Sequence, residues 1–479
     1  MRRAIIFRQL GLIVLFNSLF LWISTVISGI LHETSFMPLL YSTLISIIFG
    51  IFPLVFVEKT ENIQNKEGIL IVVSGWIISC LFGMLPFVLW GGEFSLINAW
   101  FESVSGFTTT GSSILTEIES LPKGLLFWRS ATHWIGGIGI ILFALLIFPK
   151  SGSSRHTLIR SELSEMSKQS FRTKTTNILK IILFVYAGLT LLETICLLLA
   201  GMSVFDAITH SFATIATGGF SPKNDSIAHF NSVAVEIIIM VFMVLSGMHF
   251  GLHYATLTRR KRNLFTSSIV RYYLLFLLIG IILVTLKLHM SEFGEWGKSL
   301  RYASFQVISL GTTTGFATID TAAWPAFAQI ILIYFSIQCA CIGSTSGGLK
   351  FDRILMLFKS IKKQIQVFLH PQAIIVKKLD KMKITSEMEQ FFLTFTILYV
   401  LVILLSTIIN SFFGMDLMTS FSASVATIGN VGPGFGEVSS LGNFANLPAV
   451  SKFVLTIVML MGRLEIFSIL SMFYLRSWK

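Results

Sequence analysis

The sequence predicts an all-α polytopic membrane protein: four pseudo-repeated helix–loop–helix units around a central axis plus two N-terminal transmembrane helices. Three observations predict it. Of 479 residues, 54% are hydrophobic and only 13% are charged. The apolar residues fall in long runs rather than at amphipathic spacing, and about 20 such residues carry a helix across the hydrocarbon core. Between pairs of runs lies a shorter semi-polar segment ending in Thr and Gly, repeated about every 100 residues, and a regular period of that size implies copies of one unit.

The first run, Leu10–Leu31, follows Arg2, Arg3 and Arg8. A signal peptide begins in this way, but no small-residue cleavage site follows, so the run reads as a retained helix. Leu39–Val57 is the second. Four pairs then follow: Ile69–Trp90 with Leu125–Phe148, Ile178–Gly201 with Val233–Leu257, Leu274–Leu288 with Phe327–Ile342, and Phe391–Phe413 with Phe453–Tyr474. That makes about ten spans. The chain divides accordingly into an N-terminal two-helix region, 1–66, and repeats at 67–150, 175–262, 267–365 and 385–479, the third with a broken second helix.

The net charge of +12 suits an anionic partner, but its distribution is topological. Lys150, Arg155, Arg160, Lys168, Arg172 and Lys174 share one loop, Arg259 to Arg262 a second, and Lys359, Lys362, Lys363, Lys377, Lys378, Lys381 and Lys383 a third. Basic residues gather in cytoplasmic loops, which puts these loops and the N-terminus in the cytoplasm and argues against nucleic acid as a partner. Cys80, Cys196, Cys339 and Cys341 all sit in apolar runs. Cys339 and Cys341 are two apart and point to different helix faces, so neither a disulfide framework nor a zinc site is indicated.

The repeated segments are "FESVSGFTTTGSSI" (Phe101–Ile114), "AITHSFATIATGGFSPKN" (Ala207–Asn224), "SFQVISLGTTTGFATID" (Ser304–Asp320) and "SFSASVATIGNVGPGFG" (Ser420–Gly436). Each is too short to cross, and with the basic loops inside all four dip in from the outside. Irregular backbone at membrane depth is tolerated only where it is buried in protein or lines an aqueous cavity. Four such turns about one axis form a pore lining whose carbonyls replace a cation's hydration shell. Gly permits the required dihedrals and β-branched side chains stiffen the rest. The short helices point their partially negative C-termini at the centre.

These segments, each after a short pore helix, resemble the four selectivity-filter segments of the Trk/Ktr/HKT superfamily of potassium transporters. "RSATHWIGGIGIILFALLIFP" (Arg129–Pro149) is similar to that family's second helix of the first repeat. The leading helix pair and the Asn-Val-Gly-Pro-Gly of the fourth segment are similar to the TrkH/TrkG branch. The resemblance implies K⁺ held at Thr108, Thr109, Thr110 and Gly111; Ile215, Ala216, Thr217 and Gly218; Thr312, Thr313, Thr314 and Gly315; and Gly429, Asn430, Val431 and Gly432. Gly218-Gly219 leaves the second register open by one residue, and Asn430 puts an amide where other repeats carry Thr. The resemblance further implies potassium uptake across the bacterial inner membrane by a homodimer, regulated by a cytosolic nucleotide-binding protein of the TrkA type.

A second motif, "CIGSTSGGLKFDR" (Cys341–Arg353), interrupts the second span of repeat three. Gly343, Gly347 and Gly348, with Ser344, Thr345 and Ser346 among them, should break a helix there. The stretch nearly matches a Walker loop, but Leu349 stands where Lys is required and no strand precedes it. A simple kink is the plain alternative. The family resemblance implies an intramembrane gate that includes Lys350, held closed by Arg463 of "MLMGRLEIF" through backbone carbonyls. An intramembrane Arg is costly and faces a cavity or a partner. Glu465, two residues on, cannot form an i,i+4 pair with it.

His249 and His253 have the i,i+4 spacing of metal ligands, but no third ligand is near, and a structural role reads better. "RSELSE" and "KSIKKQIQ" read as solvated cytoplasmic faces or docking surface for a regulator, and the basic juxtamembrane clusters suit anionic lipid. The chain carries no Rossmann fingerprint, nucleophile, acid/base pair or cofactor motif, so no cofactor and no enzymatic role are expected. A sodium-permeable relative is the rival reading within the class. A membrane-embedded lipid-modifying enzyme, which would need clustered Asp, Glu or His, is the rival outside it.

Overall fold

The computed structural model describes residues 2–58, 65–147, 175–258, 263–372, 378–379, 382–384 and 386–473. Lys150, Arg155, Arg160, Lys168, Arg172, Lys174, Arg259 to Arg262, Lys377 and Lys381 lie outside them.

Two long helices open the chain, α1 (Arg3–Ile30) and α2 (Phe36–Phe56), packed against each other. Four units follow, each a long helix, a short helix, an irregular turn and a second long helix. The first runs α3 (Asn65–Gly83) with its continuation α4 (Leu85–Trp90), α5 (Leu96–Phe107) and α6 (Lys123–Ile147). The second runs α7 (Thr175–Leu199), α8 (Val204–Ile215), α9 (Val233–Ser246) and α10 (Phe250–Leu257). The third runs α11 (Ser268–Leu288), α12 (Trp296–Gly311), α13 (Ala326–Gln338) and α14 (Phe351–Leu369). The fourth runs α15 (Ser386–Phe412), α16 (Leu417–Gly429), α17 (Ala449–Arg463) and α18 (Ile466–Phe473).

Among the described residues, six helices are each long and apolar enough to cross a membrane, or eight if each bent pair is one span. The ten expected runs also include α6, which carries Lys123, Arg129 and His133, and α13, cut to 13 residues by the break that follows it. Two runs read as continuous are broken: α9 and α10 meet at 100°, α17 and α18 at 113°. Each break has an identifiable feature at it. The Gly247 carbonyl accepts from the Cys341 N–H and the Phe250 N–H donates to the Gly343 carbonyl, so the first break trades helical bonds for bonds to the loop of repeat three. At the second, Glu465 adopts φ 61°, where a bulky residue is strained.

The four short helices all end at the centre of the molecule, where the four turns meet. Ser95, Ser203 and Asp416 cap three of them, accepting from the N–H groups of Asn98, Asp206 and Thr419, which satisfies donors that a helix start otherwise leaves bare. Thr419 holds the Asp416 carboxyl below its usual range, first through its side chain and then through its N–H.

Candidate cation site

The short helices share one ending. Thr110 N–H donates to the Ser105 carbonyl, Gly218 to Ala213, Thr314 to Ser309 and Val431 to Ala426, at 2.8–2.9 Å. One residue earlier, Thr109, Thr217, Thr313 and Asn430 donate to Gly106, Thr214, Leu310 and Thr427. This is the Schellman cap, which requires a left-handed residue and usually takes Gly. Here the residue is Thr109 (φ 54°), Thr217 (φ 55°), Thr313 (φ 64°) or Asn430 (φ 51°). Asn tolerates the conformation, but β-branched Thr is strained in it, and such strain persists only where the surroundings enforce it.

Two residues further on comes a glycine at positive φ: Gly111, Gly219, Gly315 and Gly432. A Cβ on Gly111 would lie 2.1 Å from the Gly218 carbonyl oxygen, on Gly219 2.0 Å from that of Thr314, on Gly315 2.0 Å from that of Val431, and on Gly432 2.6 Å from that of Thr110. Each turn thus abuts the next, and the fourth abuts the first. The turns close a ring in sequence order. All four glycines line a single open cavity of about 80 Å³ with Ser112, Ser221 and Ser440.

This geometry corrects the second register. Gly218 corresponds to Thr110, not to Gly111, so the segment matching Thr108–Gly111 is Ala216–Gly219. Ile215 is the last residue of α8, and its carbonyl instead accepts from Thr345 Oγ1 at 2.9 Å. Sequence leaves two adjacent glycines interchangeable; the cap bonds distinguish them.

Asn430 makes the ring unequal. Its Nδ2 donates to Thr110 Oγ1 (2.9 Å) and to the Met459 carbonyl (3.0 Å), while Oδ1 is buried without a donor. Thr109 Oγ1 and Thr313 Oγ1 are likewise buried and unpartnered. Three repeats therefore leave a side-chain oxygen at the same register with no hydrogen bond from the protein, oxygens whose chemistry suits a cation or water.

The interrupting loop lies against this ring. The Phe351 N–H donates to the Ala340 carbonyl, pinning the loop's two ends. Lys350, at φ 72°, donates through Nζ to the Ser346 carbonyl. Ser344 Oγ bonds back to Cys341, and Gly347 leaves no room for a side chain because Asn430 Oδ1 occupies the space. A Cβ on Gly343 would meet the His249 ring, and one on Gly348 the Cys339 sulfur. Arg463 donates from Nη1 to the Thr345 carbonyl (2.5 Å) and from Nη2 to the Gly136 carbonyl (2.6 Å). Thr345 thereby joins repeats two, three and four, and Arg463 carries the link to repeat one.

Several residues of this neighbourhood escaped the reading of the sequence. Glu102 and Arg129 form a fully buried ion pair at 2.7 Å. Arg129 also donates to the Ser221 carbonyl and stacks 4.0 Å over Phe220, while Glu102 accepts from Ser113 and the Ile114 N–H. The pair braces turns one and two, and Arg129 also lines the cavity that the four glycines share. His133 donates from Nδ1 to the Gly106 carbonyl and accepts at Nε2 from the Phe220 N–H, joining the same turns. Arg353 meets Glu465 at 2.5 Å and lies 3.8 Å from the Phe395 ring centre. The available signal was that opposite charges inside a membrane must find each other. His249 and His253 diverge: His249 Nδ1 accepts from the Gly251 N–H, and His253 Nε2 meets the Leu245 carbonyl.

Fold and ring together define a polytopic membrane protein with four re-entrant turns closed about one axis. The chain belongs to the TrkH family of cation transport proteins, whose family profile matches residues 37–477. It is 36% identical over 422 residues to the Trk system potassium uptake protein TrkH of Halomonas elongata, covering 88% of this chain and 87% of that one. Against TrkG of Escherichia coli it is 33% identical over 432 residues, covering 88% of each. The crystal structure of the potassium transporter TrkH from Vibrio parahaemolyticus superposes with a TM-score of 0.89 at 30% identity, covering 98% of both chains.

Proposed function

We propose that this protein mediates potassium uptake, the ion passing the ring formed by Thr108–Gly111, Ala216–Gly219, Thr312–Gly315 and Gly429–Gly432. The observation that carries the reading is the closed ring of four left-handed caps, three of them on strained threonines, around one cavity. Four inward-ending helices add partial negative charge at that point, which favours a cation over an anion. Backbone oxygens in a ring replace the hydration shell of a weakly hydrated cation at low cost. K⁺ is the transported ion, not a cofactor, and the family is one of transport proteins rather than enzymes.

Within this reading residues 343–348 with Lys350 act as a gate below the ring, and Arg463 holds it shut. Its fixed positive charge adds an electrostatic barrier to a cation. The repeats are bounded at 67–150, 175–262, 267–365 and 385–479 after the two-helix region 1–66. The setting is the bacterial inner membrane with the N-terminus cytoplasmic, in a homodimer whose opening a cytosolic TrkA-type nucleotide-binding protein controls. Anionic lipids are the further partners. Asn430 favours a second reading, a sodium-permeable member of the family, because an unequal ring relaxes size selection. Rescue of a strain lacking its own potassium uptake systems tests the proposal: growth at low potassium supports it, and growth only at high potassium contradicts it.

A further inference from the structure

Helix α14 begins where the interrupting loop ends, and its two halves differ. Phe351 to Met356 are buried against the protein, Asp352 accepting the Ile342 N–H at 2.7 Å from within the loop itself. Beyond them Phe358, Ile361, Ile365 and Phe368 recur at helical spacing on one face, and all four are exposed, from 52% at Phe358 to 86% at Phe368. Lys362 flanks this stripe and half-buried Lys363 lies across the helix from it, on the polar side, and residues 353–379 contain no carboxylate. An apolar stripe this open on a surface requires a covering. Hydrocarbon alone does not fit, since lysines at the level of Ile361 and Ile365 are costly in the bilayer core. A stripe of Phe and Ile beside a basic, acid-free face suits the headgroup boundary of an anionic bilayer, where the rings sink into the acyl edge and the ammonium groups meet phosphate.

We propose that residues 357–369 are an anionic-lipid-binding surface that ties the loop beneath the ring to the cytoplasmic leaflet. Because Asp352 and Lys350 lie at the junction of loop and helix, seating the distal half fixes the base from which the loop is held. The effect on transport rests on the conduction reading; the binding itself does not.

Amide hydrogen exchange of residues 357–369 in the full-length protein, in nanodiscs of phosphatidylcholine and in nanodiscs rich in phosphatidylglycerol, tests the surface without requiring flux. Two lysines worth about 1 kcal/mol each near an anionic surface predict roughly 30-fold slower exchange in the anionic discs. The K362Q/K363Q variant should lose that difference, and I361S/I365S should exchange rapidly in both. Equal exchange in the two lipids, or protection that survives K362Q/K363Q, overturns the proposal. Protection that appears in lipid-free detergent and follows protein concentration also overturns it and assigns the stripe to a second copy. Rubidium uptake by proteoliposomes of the same compositions gives the second readout. Flux that ignores lipid charge refutes the link to the loop, whereas no flux in any lipid, with exchange still lipid-dependent, strikes the conduction reading instead.

Discussion

Arg463 reaches the carbonyl of Thr345 at 2.5 Å, and the hydroxyl of that same threonine reaches the carbonyl of Ile215 at 2.9 Å. A cation on the last long helix of repeat four is thus tied, through one loop residue, to the base of turn two. If the loop obstructs the path, these are the bonds that keep it there.

Arg463→Ala removes two charge-assisted bonds, each worth about 1.5–3 kcal/mol, along with the fixed positive charge. Rubidium flux into proteoliposomes without any regulator should rise by tenfold or more by the same arithmetic. Arg463→Lys, which cannot span two carbonyls with one fork, should lie between the two.

The glycine series follows the crowding at each position. Gly111→Ala, Gly219→Ala and Gly315→Ala each drive a methyl to 2.0–2.1 Å from a neighbouring carbonyl oxygen, while Gly432→Ala meets one at 2.6 Å. The first three should abolish flux and the fourth should retain the most. Measured in parallel, Gly219→Ala grouping with Gly432→Ala would refute the register.

Glu465→Gln leaves Arg353 buried beside an amide, and removing one partner of a buried pair costs about 3–5 kcal/mol. The melting temperature in detergent should fall sharply. The double variant R353M/E465M should recover most of the loss, because apolar residues of similar volume replace a buried pair at little cost. Glu102→Gln should behave in the same way through Arg129.

Asn430→Thr equalises the ring chemically but gives up the bond to the Met459 carbonyl. A β-branched residue also tolerates φ 51° less well than Asn. The fold should survive, since three other repeats hold Thr there, and the rubidium-to-sodium flux ratio should change severalfold. An unaltered ratio would remove Asn430 from any part in selection.

The repeats were legible because composition and period report helices and copies without regard to detail. The Thr–Gly turns stood out because that chemistry has no place between spans unless it lines something. The breaks at Gly247–His249 and Leu464–Glu465 were hidden, since a stretch such as "IIIMVFMVLSGMHFGL" is apolar apart from Ser246 and His249 and its interruption comes from the loop of another repeat. The one-residue error at Gly218 had a similar origin: adjacent glycines differ only in which carbonyl approaches them. Glu465 could be excluded only as an i,i+4 partner of Arg463; its actual partner, Arg353, is more than a hundred residues away.

That the four turns form one conducting ring is open to a direct experiment. Rubidium and sodium flux into anionic-lipid proteoliposomes containing only the purified Arg463→Ala protein tests it most directly. Rubidium entry should be saturable, well above that of protein-free vesicles and above sodium, and abolished by adding Gly219→Ala. Entry no greater than in protein-free vesicles, or entry that Gly219→Ala leaves intact, would contradict it.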